Sequence, residues 1–242
     1  MSMVERHPVA DPEARIAACA DLLAGRLAAA CKARAGRVSF MVSGGRSPRA
    51  VLERVAAAEL PWDRIDVFAS DERCVPTDHP DSTENMVRAA FAAVGTALTY
   101  HGIGPDPDPG PALAHWQARL QRLTWPVAAG FLGIGEDGHT ASLFPHRAEV
   151  LDREGVAFAV PETAPHAHPR LTLGPRALMQ ADLVTLIVAG EAKTRALSAA
   201  LAPGADPRYT PAALLQEMRR VIVFTDQGVS GSLSARDPAR VR

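Results

Sequence analysis

Short apolar runs recur along the chain, and each stops at a glycine-rich or polar break. The runs are Val38 to Val42, Ile65 to Ala69, the segment at Phe131, Val156 to Val160, Leu183 to Val188 and Val221 to Phe224. Their length and their β-branched and aromatic content predict buried strands. Between them lie stretches with apolar residues three and four apart, as amphipathic helices require. Asp11-Pro12-Glu13 is a helix start, with a capping side chain, a first-turn proline and an acid at the positive dipole end. That helix is predicted to run to about Ala33, with Gly36 near its end. Pro48 opens a second helix with Val51, Leu52 and Val55 facing inward. Further helices are predicted from Met86 to about Val94, and from Pro111 through Leu113, Trp116, Leu120 and Leu123. Others follow at Pro175 to Gln180, after Gly190, and from Thr210-Pro211.

Strands alternating with helices predict an α/β fold with a mostly parallel sheet sandwiched by helices, Rossmann-like in architecture. The pattern shows no internal repeat and no composition break, so residues 1–242 read as a single domain. Gly102 to Pro111 reads as an irregular connection, and the polar tail from Gln227 is expected to fray.

Composition narrows the function more than the fold. The 242 residues are 47% hydrophobic and 22% charged with a formal net charge of −1. No overall basic field argues for nucleic acid. Cys19, Cys31 and Cys74 fit neither a disulfide framework nor a zinc ligand set, which points to a reducing, cytoplasmic setting. The first residues have no apolar core of a signal peptide, and no apolar stretch reaches membrane-spanning length.

Chemistry is concentrated where strands end. The stretch Phe131 to Pro145, FLGIGEDGHTASLFP, carries Gly133, Gly135 and Gly138 with Glu136, Asp137 and His139 among and beside them. His139 has a near carboxylate in Asp137 and hydroxyls in Thr140 and Ser142, which makes it the first candidate for a general base or acid. The three glycines also satisfy G-x-G-x-x-G, but that fingerprint needs a long helix opening at the third glycine. Pro145 cuts the segment short, and an acidic turn would repel a pyrophosphate.

Ser43-Gly44-Gly45-Arg46-Ser47-Pro48 forms a second junction, from strand through glycine turn to helix N-terminus. Exposed N–H groups at a positive dipole end suit a phosphate, and Arg46 with the hydroxyls of Ser43 and Ser47 favours that use over a plain turn. The charged triplet in Ser70-Asp71-Glu72-Arg73-Cys74-Val75-Pro76 reads, as a bare pattern, as a solvated loop rather than a second piece of the site. His166 and His168 alternate as metal ligands can, yet lie between prolines with no third ligand near in sequence, so a surface loop is expected.

Taken in order, these motifs resemble the 6-phosphogluconolactonases, which share an α/β architecture with the glucosamine-6-phosphate deaminases and ribose-5-phosphate isomerases. The resemblance runs from about residue 8 to 226. It rests on VSGGRSP (42–48), SDERCVP (70–76), GIGEDGHTASLFP (133–145), PRLTL (169–173) and GEAK (190–193). It implies hydrolysis of 6-phospho-glucono-1,5-lactone in the pentose phosphate pathway, with no metal and no cofactor. The implied partner is the sugar-phosphate lactone, on a monomer or small homo-oligomer; with neither a basic field nor a membrane-spanning stretch, neither nucleic acid nor membrane is expected. It also implies a phosphate site built from Ser43, Gly44, Gly45 and Arg46 with Arg170 and Lys193.

In that chemistry His139 takes a proton from water and later returns it, and Asp137 orients the imidazole. Arg73 and the backbone N–H groups of the Gly133–Gly138 turn are the candidates for the oxyanion. Asp71 is the candidate to orient the water or the substrate hydroxyls. The chain departs from the family pattern at Ala128, where an Asp is usual, and at Thr83, where many members have Asn. A deaminase of the same architecture carries Glu five positions after the motif histidine, and that position here is Phe144. A non-catalytic sugar-phosphate sensor would be free to lose Asp137 and His139, and both are present.

Overall fold

The computed structural model describes residues 3–104, 106–162 and 167–226, the side chains of Met3 and Arg46 excepted. The chain begins with strand β1 (Met3–Pro8) and helix α1 (Pro12–Ala33). The Asp11 carboxylate accepts from the Ala14 N–H at 2.6 Å, so this helix starts where its cap and first-turn proline place it. Strands β2 (Val38–Val42) and β3 (Ile65–Ala69) occupy the predicted residues and flank helix α2 (Arg46–Ala56). Next come β4 (Asp71–Arg73), α3 (Thr83–Ala90), β5 (Thr99–Tyr100), α4 (Pro109–Leu120) and β6 (Ala129–Phe131). The chain continues through β7 (Ala157–Val160), β8 (Arg170–Leu173), α5 (Pro175–Leu178), β9 (Val184–Val188), α6 (Glu191–Ala200) and β10 (Arg220–Thr225).

Seven strands form one parallel sheet in the order β1-β10-β9-β6-β2-β3-β5. Side chains alternate between its faces, as strand geometry dictates. Val38, Phe40 and Val42 join Leu23 and Leu27 of α1 and Val51, Leu52 and Val55 of α2 in one core. Met41 and Phe68 point the other way, into a second core with Trp116 and Leu120 of α4, Leu178 of α5 and Leu197 of α6. Each such buried side chain contributes on the order of 2 kcal/mol. The sheet is therefore covered on both faces, as the unbroken apolar runs require.

The winding fixes where a site can form. From β2 the chain moves outward through β3 to β5, and from β6 it moves the opposite way through β9 to β10. The reversal falls between neighbouring strands β2 and β6, and open α/β sheets place their crevice at such a point, beyond the strand carboxyl ends.

Several features differ from the sequence reading. Strand β1 was not expected, because its charged residues and Pro8 hide an edge strand that pairs β10 from Met3 to Pro8. Strand β5, two residues long, carries too little pattern to find. The triplet Asp71-Glu72-Arg73 is not a solvated loop: it is β4, antiparallel to β8, which also pairs β7. Helix α3 starts at Thr83, earlier than expected, because the Ser82 hydroxyl caps it by accepting from Asn85 N–H. Helix α4 opens at Pro109, capped by Asp108, rather than at Pro111. Residues Pro211–Glu217 form a 3-10 helix instead of an α-helix. The tail from Gln227 lies outside the described residues.

Candidate active site

Four strand ends converge at the switch point. Ser43 to Gly45 follow β2, Ser70 and Asp71 follow β3, Leu132 to Gly135 follow β6, and Gly190 follows β9. They enclose a cleft of about 380 Å³ lined by Ser43, Gly44, Gly45, Asp71, Arg73, His139, Arg170 and Lys193. Eight of the ten residues singled out from the sequence thus share one cavity. Asp137 stands behind His139, and the side chain of Arg46 lies outside what the structure describes.

The imidazole and its carboxylate are held tightly. His139 Nδ1 is 2.6 Å from Asp137 Oδ1, which also accepts from the His139 backbone N–H at 3.1 Å. Gly135 makes this possible by close approach: a Cβ there would lie 2.1 Å from His139 Nδ1 and 2.5 Å from Asp137 Oδ1. The turn closes through Gly135 N–H to the His139 carbonyl (2.9 Å) and Gly138 N–H to the Gly135 carbonyl (3.0 Å). Those two amides are therefore committed, which removes them from the oxyanion candidates. The neighbouring hydroxyls also have other duties. Thr140 Oγ1 donates to the Gly133 carbonyl at 3.0 Å, and Ser142 Oγ donates to Asp71 Oδ2 at 2.7 Å.

The opposite wall is cationic. In the β4–β8 register Arg73 stands across from Arg170 and Asp71 across from Thr172. Asp71 accepts from the hydroxyls of Ser70 and Ser142 and lies 3.9 Å from the Arg170 guanidinium. Burial, and then the charge of Arg73, push the Arg170 guanidinium below its ordinary value. Among the described residues its Nε is buried with no hydrogen-bond partner, as is the Ser43 hydroxyl. Orphaned buried donors at a cleft mark groups that a ligand can satisfy.

Two helix N-termini face the same space. Helix α2 has no side-chain cap, and its N-cap Gly45 sits at φ +124°, a conformation that favours glycine. Helix α6 begins after Gly190 and carries Lys193 in its first turn. Uncapped N–H groups and a lysine at positive dipole ends are features that suit an anion.

Sequence reasoning missed the residues that support this arrangement. Glu72 is buried, and its carboxylate accepts from the backbone N–H groups of Arg73, Thr83 and Glu84 at 2.8, 2.7 and 2.6 Å. It thereby ties β4 to the start of α3. The Ser82 cap position followed by a helical pattern was the available signal. Thr83 Oγ1 presses on Gly44, where a Cβ would meet it at 2.7 Å, so this departure from the family pattern packs beneath the glycine turn. Ala128 is fully buried in the core. Phe144 lies 5.0 Å from the His139 ring and beneath the Arg170 guanidinium at 5.8 Å. Cys74 is no nucleophile, since burial pushes its thiol up to about 11. His166 lies outside the described residues. His168 is not isolated as the sequence suggested: Asp81 and His79 converge on it.

A parallel α/β sheet that gathers an imidazole–carboxylate pair and an anion-ready wall at its switch point is the arrangement of an enzyme acting on a small anionic metabolite. The chain belongs to the glucosamine-6-phosphate isomerases/6-phosphogluconolactonase family, whose sequence model matches residues 10–224. It is 34% identical to the 6-phosphogluconolactonase of a Nostoc species over 93% of this chain and 96% of that protein. It is 39% identical to the Pseudomonas aeruginosa 6-phosphogluconolactonase, over 80% of this chain and 84% of that protein. The crystal structure of a 6-phosphogluconolactonase from Shewanella baltica superposes with a TM-score of 0.83 at 25% identity, covering 93% and 97% of the two chains. Among the described residues no helix is long and apolar enough to cross a membrane.

Proposed function

We propose that this chain hydrolyses 6-phospho-glucono-1,5-lactone to 6-phosphogluconate in the pentose phosphate pathway, with His139 as the general base. The activity follows from its family and from relatives that carry that name across nearly their whole length. The observation that carries the mechanism is the 2.6 Å contact of His139 Nδ1 with Asp137 Oδ1 at the edge of the cationic cleft.

With Nδ1 held by the carboxylate, Nε2 is the ring atom assigned to proton exchange. Nε2 removes a proton from water as the water oxygen bonds to the lactone carbonyl carbon. The tetrahedral intermediate then collapses, the bond to the ring oxygen breaks, and the imidazolium returns its proton to that oxygen. Asp137 stabilises the imidazolium without itself taking the proton.

The phosphate is assigned to the uncapped N-terminus of α2 at Ser43 to Arg46, with Arg170 and Lys193. Asp71, with two hydroxyl donors and Arg170 at 3.9 Å, is assigned to positioning that guanidinium. Arg73 is the oxyanion candidate on the opposite wall. Phe144, a hydrocarbon against His139, leaves no acid for ring opening there, which counts against deamination. The free, buried cysteines agree with a reducing cytoplasm.

The test is hydrolysis by the purified protein with glucose 6-phosphate dehydrogenase generating the lactone in place. Acceleration over the spontaneous blank is expected. Tight sugar-phosphate binding with no acceleration would identify a sensor instead.

A further inference from the structure

Beside Arg73, three side chains of metal-ligating type meet from two segments far apart in sequence. His168 Nε2 lies 3.1 Å from Asp81 Oδ2, and His79 Nδ1 lies 3.9 Å from the same oxygen. The two imidazoles stand edge to face with centroids 5.3 Å apart, and one ligand atom from each of the three residues falls within 4.8 Å of the others. His168 adopts φ +72°, a left-handed conformation that costs energy in a non-glycine residue. The triad is neither on β6 nor in the His139 turn, and the hydrolysis assigned to His139 does not use it.

We propose that His79, Asp81 and His168 form a binding site for a divalent transition-metal ion of the zinc class, clipping the loop before α3 to the segment before β8. Two neutral imidazoles and one carboxylate are a donor set suited to zinc, with a water completing the tetrahedron. In such a site ligand atoms lie about 2.0–2.2 Å from the metal and so roughly 3.4 Å from one another; His168 Nε2 and Asp81 Oδ2 at 3.1 Å already fit, and His79 Nδ1 at 3.9 Å is the ligand that must move in. All three side chains are partly exposed, so rotamer changes can supply that movement. His79 Nδ1 now accepts from the Asp81 N–H at 3.1 Å, and the metal would take over that lone pair.

The site bears on the cleft through the backbone. The Asp81 carbonyl accepts from Arg73 Nη1 at 3.2 Å, and His168 precedes Arg170 by two residues. A bound ion therefore fastens together the supports of the two cleft arginines. It takes no part in the proton transfers.

The test uses the full chain, stripped with a chelator and dialysed, then titrated with Zn²⁺ by calorimetry and with Co²⁺ by visible absorption. One equivalent is expected to bind, with the d–d spectrum of tetrahedral cobalt and a rise in Tm on zinc addition. His79→Ala and His168→Ala should each weaken binding by about tenfold or more, and together abolish it. His79→Gln, which keeps polarity at the surface, should do the same if the alanine variant folds poorly. His139→Asn should leave the stoichiometry unchanged, and the stripped native protein should keep its turnover. Absence of stoichiometric binding overturns the proposal, as does binding that survives the double substitution or disappears in His139→Asn. Loss of turnover on stripping that zinc restores would place the metal in the chemistry and overturn the clip.

Discussion

Arg73 and Arg170 are direct register partners across the antiparallel pair β4–β8, so two guanidinium groups share one wall of the cleft. Like charges opposite one another destabilise a strand pair, and Asp71 at 3.9 Å from Arg170 offsets this only in part. An anion between them relieves the repulsion. Arg170→Ala or Lys193→Ala should weaken 6-phosphogluconate binding by about 10–100-fold, the usual range for a lost charge-assisted contact. Turnover of the phosphorylated lactone should fall, and that of unphosphorylated gluconolactone should hardly change, because remote phosphate binding orients the carbonyl. Equal losses on both lactones would show that these residues act elsewhere.

His139→Asn keeps similar size and some hydrogen bonding but cannot accept a proton near neutral pH. A loss of about 10²–10⁴-fold in kcat/KM is expected, with product affinity within a few-fold of native. Asp137→Asn should be similar or milder. Near-native turnover by a folded His139→Asn protein would return water activation to Asp71 or Asp137.

Gly135→Ala addresses the same pair without substituting either residue. Its methyl would occupy the space of His139 Nδ1 and Asp137 Oδ1, so the pair must separate. Turnover should drop by about tenfold or more, since displacement of a catalytic group by an ångström is costly. Sugar-phosphate affinity and Tm should change little. Unchanged turnover would show that the 2.6 Å contact is dispensable.

Glu72 supplies a pH dependence of stability. Burial pushes its carboxyl from 4.5 up to about 7, despite three backbone N–H donors, and the charge of Asp71 adds to the rise. The folded protein therefore binds more protons than the unfolded chain between these values. The resulting stabilisation is complete below 4.5 and is lost as pH rises through about 7. Denaturant melts of native protein and Glu72→Gln should show the native advantage shrinking from about pH 5 to about pH 8. A difference constant across that range would mean the carboxyl stays ionised in the fold.

Most of the sheet was legible because its central strands are buried on both faces and so read as unbroken apolar runs. β2 and β3 appear at their predicted bounds for that reason. The His139 turn and the Ser43–Gly45 turn were legible because glycine and chemistry-bearing side chains occur together at strand ends. β4 was not. A triplet of charges looks solvated in isolation, and it becomes a strand only because β8 pairs it while Ser142 and the α3 N-terminus satisfy its carboxylates. The neighbours of His168 were hidden for the same reason, since His79 and Asp81 reach it through tertiary folding.

The pairing of β4 with β8 also decides when a ligand can be held during folding. Its two strands are distant in the chain, so closing the intervening loop carries an entropic cost that the large sheet must first offset. Until then the turns after β2 and β6 can form locally, but Asp71, Arg73 and Arg170 have no common wall. A sugar phosphate would thus find no grip on a half-assembled chain. It should slow unfolding far more than it hastens folding, acting as a latch on the finished molecule rather than as a template for making it.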